Sequence, residues 1–328
     1  MNEFELIARY FTRPPPAGSI VAAGVGDDCA LLDLGERQLT VTTDLLVEGR
    51  HFAAGCDPEA LGHKALAVNL SDLSAAGSTP RCFFLALALP AAEPDWLQAF
   101  TRGLLALADR HGCVLAGGDT TRSPRIDARP GPLAICITAL GEVPRGAALT
   151  RAGAQPDDDI YVSDTVGDAA LALAVRGDPS LDFVDAAAVQ ARLDWPQPRV
   201  SLGVALRGLA TSCIDVSDGL LGDLAHIGAR SEVGARIDWP AVPLSAALRR
   251  QRSELQQRCA LAGGDDYELL FTAPPAQRKR VQAAAAQAGV AVSRIGVVTR
   301  GRGVQVVDAQ GRALAGPFVS FDHFEADA

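Results

Sequence analysis

Lysine is almost absent from this chain: Lys64 and Lys279 are the only two among 30 basic residues, and the other 28 are Arg. Aromatic residues make up 5% of the 328 positions, and there is one Met. No run of about 18 uncharged apolar residues occurs, which argues against a membrane-spanning helix. Glu3, Glu5 and Arg9 interrupt the N-terminal apolar residues, so no secretory segment is read there and a cytoplasmic protein is expected. The seven cysteines stand singly, with no C-x-x-C pair, and read as reduced small hydrophobes rather than zinc ligands or a disulfide framework. The five histidines show no zinc-ligand spacing. The phosphate-binding and nucleophile motifs G-x-x-x-x-G-K-[ST], G-x-G-x-x-G and G-x-S-x-G are missing. Lys64 lies inside a helical segment and Lys279 in the basic run Arg278–Arg280, so any phosphate would be held by metals and arginine rather than by lysine.

Acid is plentiful. The formal net charge is -9, from 28 Asp and 11 Glu against the 30 bases, which argues against a nucleic-acid partner. Short carboxylates suit turns and hard-cation sites better than helix interiors. With 48% hydrophobic residues the chain can bury a full core, and its length suits two domains of roughly 150 residues. The Gly-, Pro-, Arg- and Asp-rich stretch Arg145–Asp159 marks the boundary, giving domains 1–148 and 149–328.

The pattern predicts a short helix over Phe4–Phe11, a turn at Pro14–Pro16, a tight loop Gly24–Asp28 and a strand Leu39–Thr43 running into Asp44. Asp57 followed by Pro58 predicts a helix start, with the helix running to Ala76; a second helix spans Pro94–His111 and stops at Gly112. Gly117–Thr121 reads as a loop after Val114, and Leu133–Val143 as a strand. In the second half, strands are predicted at Ile160–Ser163, Cys213–Val216, Tyr267–Thr272 and Val290–Val298. Helices are predicted at Asp168–Arg176, Asp185–Leu193, Arg199–Leu209, from Gly219 to Ala229, and at Pro275–Ala288. Without a regular parallel βαβ rhythm, the expected class is α+β.

Six acidic segments stand out: Asp27–Asp28, Thr42–Asp44, Asp72, Gly118–Thr120, Asp215–Asp218 and Gly263–Glu268. Singly each reads as an Asp turn or cap; together they offer the fixed oxygens that Mg²⁺ needs, with room left for water or phosphate. In the Pro58–Ala76 helix, Leu61, Ala65, Val68 and Asp72 fall at spacings of four, three and four, which puts a carboxylate on an apolar stripe. Either a partner or a metal holds it there, or the stripe ends at Val68 and Asp72 reaches solvent. His51 is either a ligand contact or structural, and Arg145 either reaches a phosphate or caps a turn.

As a set, Gly24–Asp28, Thr42–Phe52, Lys64–Asp72, Gly117–Thr121, Ile214–Gly219, Gly263–Leu269 and the closing Asp322–Phe324 resemble the thiamine-monophosphate kinase family, of the superfamily with aminoimidazole ribonucleotide and selenophosphate synthetases. The resemblance is collinear over nearly the whole chain. It implies a two-domain α+β homodimer that dimerises through its N-terminal domain, with the active site in the cleft between the domains. It implies ATP-dependent phosphorylation of thiamine monophosphate to thiamine diphosphate by direct in-line transfer with several Mg²⁺ ions and no enzyme nucleophile. Carried over by position, Asp27, Thr42, Thr43, Asp44, Asp72, Asp119, Asp215 and Asp218 match metal ligands. Gly118, Asp119, Arg145 and Ser217 match nucleotide contacts, and His51, Asp265 and Phe318 match positions that hold thiamine monophosphate. Asp265 stands where the family usually has Glu, one methylene longer, and Arg50 replaces a usual apolar residue. Selenophosphate synthetase itself is a poor match, because no Lys precedes Lys64 and no Cys precedes Cys29.

Overall fold

The computed structural model describes residues 3–12, 16, 18–127, 129–177, 186–314, 316 and 318. The first half contains α1 (Glu3–Tyr10), β1 (Val21–Ala23), β2 (Ala30–Leu34), β3 (Arg37–Val47), α2 (Pro58–Ala75), β4 (Thr79–Leu89), α3 (Pro94–His111), β5 (Val114–Arg122), β6 (Arg125–Ile126), β7 (Arg129–Pro130) and β8 (Ala134–Pro144). The second half contains β9 (Asp159–Ser163), α4 (Asp168–Gly177), α5 (Ala186–Asp194), α6 (Val200–Ala205), β10 (Ser212–Asp215), α7 (Leu220–Ser231) and β11 (Gly234–Asp238). It continues with α8 (Ala246–Arg249), α9 (Ser253–Ala262), β12 (Leu269–Ala273), α10 (Arg278–Ala288), β13 (Val292–Thr299) and β14 (Gly303–Val307).

Each half builds a six-stranded mixed sheet, ordered β1-β2-β3-β8-β4-β5 and β10-β12-β9-β13-β11-β14. Pairing is antiparallel except for one parallel pair at an edge of each sheet, β4–β5 and β11–β14. This is the expected α+β class in two domains.

Helix α2 holds the two halves together. Its start is set by Asp57, whose side chain accepts the Glu59 N–H, and by Pro58 in the first turn. Almost every residue from Ala60 to Ala75 is buried, because α2 packs against α3, β3 and β8 on one side and against α6 and β10 of the second half on the other. Polar side chains fasten it to the second half: His63 Nε2 lies 2.7 Å from the Pro196 carbonyl, Lys64 pairs with Asp265 at 3.1 Å, and the Ser71 hydroxyl donates to Asp215 at 2.6 Å.

Other parts of the sequence reading need correction. Gly117–Thr121 is not a loop but the middle of β5, an exposed edge strand. A Cβ on Gly118 would lie 1.8 Å from the Leu85 carbonyl oxygen, so glycine is required there by the close approach of β4. Strand β4, inside the first sheet, was not anticipated, because Gly77 and Pro80 read as punctuation. Tyr267 and Glu268 precede β12, and α6 covers only part of Arg199–Leu209. Asp185 and Asp322–Phe324 lie outside the described residues, as does part of the Pro14–Pro16 turn.

Helices α2 and α3 cross at backbone contact. A Cβ on Gly62 would sit 2.0 Å from the Phe100 carbonyl oxygen, and one on Gly103 would sit 1.8 Å from that of Glu59. Neither neighbour is a side chain that can rotate away. Gly103→Leu should therefore lower the unfolding free energy by about 3 kcal/mol or more, measured by denaturant titration.

Candidate active site

The site forms where α2 brings the two sheets together. Asp28, at the end of the tight loop, Asp72, in the last turns of α2, and Asp215, at the end of β10, present carboxylate oxygens within 4.8 Å of one another. Alternation along β3 turns Thr42 and Asp44 toward this cluster's side of the sheet. The Thr42 hydroxyl donates to Asp72 Oδ2. Arg151 braces the loop: its Nε and Nη2 donate to Asp28 Oδ1 at 3.1 and 2.6 Å, and its backbone N–H lies 3.2 Å from both Asp27 oxygens.

Burial raises the pKa of every member. Asp215 is pushed up to about 8, by desolvation first and then by Asp28. Asp44 and Asp27 are each pushed up to about 6, mainly by desolvation. Asp72 rises through desolvation and then the charges of Asp44, Asp215 and Asp28; Asp28 rises through desolvation despite Arg151. Asp28 Oδ2 and Asp44 Oδ2 are buried with no hydrogen-bond partner among the described residues. Hard oxygens gathered without enough protein donors are the donor set of a divalent cation.

A second cluster borders the first. Asp265 and Tyr267 both adopt left-handed backbone, with φ of 68° and 52°. They are pinned through their N–H groups to the carbonyls of Ser217 and Val216, each at 2.8 Å. This joins the Gly263–Glu268 segment to Asp215–Asp218. Asp218 and Gly219 in turn donate their backbone N–H groups to buried Asp223. Asp265 and His51 line one cavity of about 280 Å³ between the halves, which also takes in Phe52, Lys64 and Arg176. His51 Nδ1 accepts the Val47 N–H at 3.0 Å, which leaves the proton of a neutral ring on Nε2.

Not every expected residue converges. Thr43 lies on the other face of β3, where its hydroxyl meets that of Thr138 at 2.9 Å. Asp119 shares that face by register with Ala86, and β4 and β8 separate its strand from β3, about 14 Å by strand spacing. Arg145 is exposed and bonds Asp33 Oδ2 at 3.0 Å, beside the β2–β3 turn. Phe318 packs against the core of the second half and does not line the cavity. The sequence alone did not point to Arg151 or Asp223, gave Asp28 only as half of an acidic loop, and gave Lys64 no role. Two adjacent aspartates do not reveal which one turns inward; Arg151 and Lys64 act through contacts distant in sequence, and Asp223 holds the local turn at Asp218 and Gly219.

Comparison with known proteins fits this layout. Residues 26–143 match the family of AIR synthase related proteins, N-terminal domain, and residues 155–309 match the corresponding C-terminal domain. The chain is 44% identical over 327 residues to the thiamine-monophosphate kinase of Escherichia coli (strain K12), covering 98% of each. It belongs to the thiamine-monophosphate kinase family. The crystal structure of the Stenotrophomonas maltophilia K279a thiamine-monophosphate kinase superposes with TM-score 0.79 at 45% identity, covering 91% of this chain and 93% of that one. A solved complex of AaThiL with AMPPCP and TMP superposes with TM-score 0.79 at 30% identity, covering 92% of each chain. Members of this family are phosphotransferases, and so is this chain. Among the described residues no helix is long and apolar enough to cross a membrane.

The raised carboxylates make stability depend on pH. An acid whose folded pKa is raised stabilises the fold while protonated and loses that contribution as pH rises through the folded value. Between about 4 and about 8 the metal-free protein should therefore lose stability through Asp215, with Asp27 and Asp44 adding to the loss between about 4 and about 6. His226, pushed down to about 4 by burial and Arg151, opposes this only below its ordinary 6.5. Melting temperatures in chelator should fall over that range, and a divalent cation should restore more at pH 8 than at pH 5.

Proposed function

We propose that this chain transfers the γ-phosphoryl group of ATP to the phosphate of thiamine monophosphate, giving thiamine diphosphate and ADP. The observation that carries the reading is the buried convergence of Asp28, Asp72 and Asp215 from both halves of the chain, beside a cavity lined by His51 and Asp265. The AaThiL complex with AMPPCP and TMP supports it, because it pairs a nucleotide with a second phosphate-bearing ligand in a relative of the same fold.

Both reactants are anionic, so an acidic site alone would repel them. The residues present fit Mg²⁺: Asp28, Asp72 and Asp215 form the core of the set, Asp27 and Asp218 flank it in sequence, and Thr42 and Asp44 reach Asp72 from β3. When bound, several Mg²⁺ ions supply the positive charge that lets one phosphate approach another. The chain's own part is positioning and charge placement for direct in-line transfer. A phosphate oxygen is already largely ionised near neutral pH, so no general base is required. We assign Gly118, Asp119, Arg145 and Ser217 to the nucleotide, and His51 and Asp265 to thiamine monophosphate, within domains 1–148 and 149–328; Phe318, packed against the core of the second half, is not assigned to it.

The open face of the first sheet supports a homodimer. Leu45 is 55% exposed and Phe84 43%, an apolar surface that a second copy would cover. Thr43 and Asp119 lie on that face, so they would serve a cation only together with groups from across such an interface. Use of ATP as co-substrate supports a cytoplasmic location.

Purified protein incubated with ATP, Mg²⁺ and thiamine monophosphate should give thiamine diphosphate and ADP in equal amounts by chromatography. Asp72→Asn should reduce turnover about 100-fold or more while circular dichroism stays unchanged. Excess chelator should stop the wild-type reaction. Product formed at the wild-type rate by Asp72→Asn would remove the carboxylate cluster from the chemistry.

A further inference from the structure

Lys64 is one of two lysines in the chain, and its side chain is only 7% exposed. A buried ammonium on a central helix is costly unless it is paired and hydrogen-bonded. Its Nζ lies 3.1 Å from Asp265 Oδ2, and the other oxygen of Asp265 accepts the Tyr267 hydroxyl at 2.8 Å. Both members of the pair line the cavity that holds His51. An ammonium has three protons to donate, and a carboxylate oxygen accepts more than one hydrogen bond, so pairing with each other does not exhaust either group. The left-handed backbone of Asp265 and Tyr267, held by Ser217 and Val216, fixes the carboxylate in place, the kind of local strain that is retained at functional positions.

Position along α2 decides which part of a substrate this pair meets. Lys64 and Asp72 are eight residues apart, two turns, or about 12 Å along the helix axis. On the functional reading above, on which this inference rests, the reacting phosphate lies at the Asp72 end. Lys64 then meets the far end of the substrate, its rings. The thiazolium ring is cationic and offers an ammonium no lone pair. The aminopyrimidine offers a ring nitrogen that accepts, next to an amino group that donates. A donor and an acceptor held side by side 3.1 Å apart are the complement of that edge.

We propose that Lys64 and Asp265 form a fork that recognises the aminopyrimidine edge of thiamine monophosphate, with Lys64 Nζ donating to the ring nitrogen and Asp265 accepting from the amino group. The shorter Asp265 carboxylate therefore works together with Lys64 rather than alone.

The test compares thiamine monophosphate with oxythiamine monophosphate, in which an oxo group replaces the amino group and the ring nitrogen carries a proton, so that donor and acceptor are exchanged. Binding is read by calorimetry and turnover with ATP and Mg²⁺, for wild type, Lys64→Met and Lys64→Arg, with Lys64→Gln in reserve should Lys64→Met not fold. Wild type should prefer thiamine monophosphate by about 10- to 100-fold, the scale of a charge-assisted hydrogen bond. Lys64→Met should weaken thiamine monophosphate by that factor and the oxo analogue by less than about threefold, leaving KM for ATP unchanged. Lys64→Arg should recover part of the preference. A purely structural lysine would move both analogues and ATP together, and that result, or an unchanged preference, overturns the fork. If wild type turns over thiamine monophosphate but Lys64→Met keeps the preference, the fork fails and the functional reading stands. If the preference collapses as expected while wild type forms no thiamine diphosphate, the fork stands and the functional reading fails.

Discussion

The structure depends on a repulsion it does not resolve by itself. Asp28, Asp44, Asp72 and Asp215 come from a loop, a strand, a helix and a second strand, and they meet where burial makes full ionisation unfavourable. Arg151 offsets part of the charge at Asp28, and Ser71 and Thr42 supply hydroxyl donors to Asp215 and Asp72. Two buried carboxylate oxygens still have no partner among the described residues. A cluster of this kind costs stability as a metal-free protein, and is explained by what it can hold. Cations bound there turn an acidic crevice into one that attracts phosphate.

Helix α2 is the frame for that arrangement. It carries Lys64 at one end and Asp72 at the other, and it is buried on nearly all sides by α3, the first sheet and the second half. Its contacts through His63, Lys64 and Ser71 to Pro196, Asp265 and Asp215 hold the second half against it, so the distance between the carboxylates and the ring-binding end of the cavity is set by helix geometry. The glycines at the α2–α3 crossing allow the close approach that this burial needs.

Much of this was legible in the sequence, for stated reasons. The start of α2 at Asp57–Pro58 and the end of α3 at Gly112 follow from capping chemistry, whereas helical spacing put Asp72 on an apolar stripe without deciding whether it turned inward or reached solvent. Asp44 and Asp215 stood out as carboxylates beside predicted strands, and the structure puts both on strands, β3 and β10. The choice between Asp27 and Asp28 was not legible, because it depends on how the loop meets Arg151 more than 120 residues away. Gly118–Asp119 was misread as a loop because glycine marks turns more often than it marks a strand pressed against its neighbour. Lys64 was placed inside a helix and given no role, because its partner Asp265 lies 201 residues away in the chain.

The central claim is that the carboxylates are partly protonated until a cation replaces the protons. Calorimetric titration of Mg²⁺ into metal-free protein at pH 7, repeated in two buffers of different ionisation enthalpy, measures the protons released per ion bound. About one proton released is expected, from Asp215 with its pKa near 8 and the neighbours raised with it. Binding with no proton release would mean that the cluster is already fully ionised, and binding that survives Asp72→Asn unchanged would place the ions elsewhere.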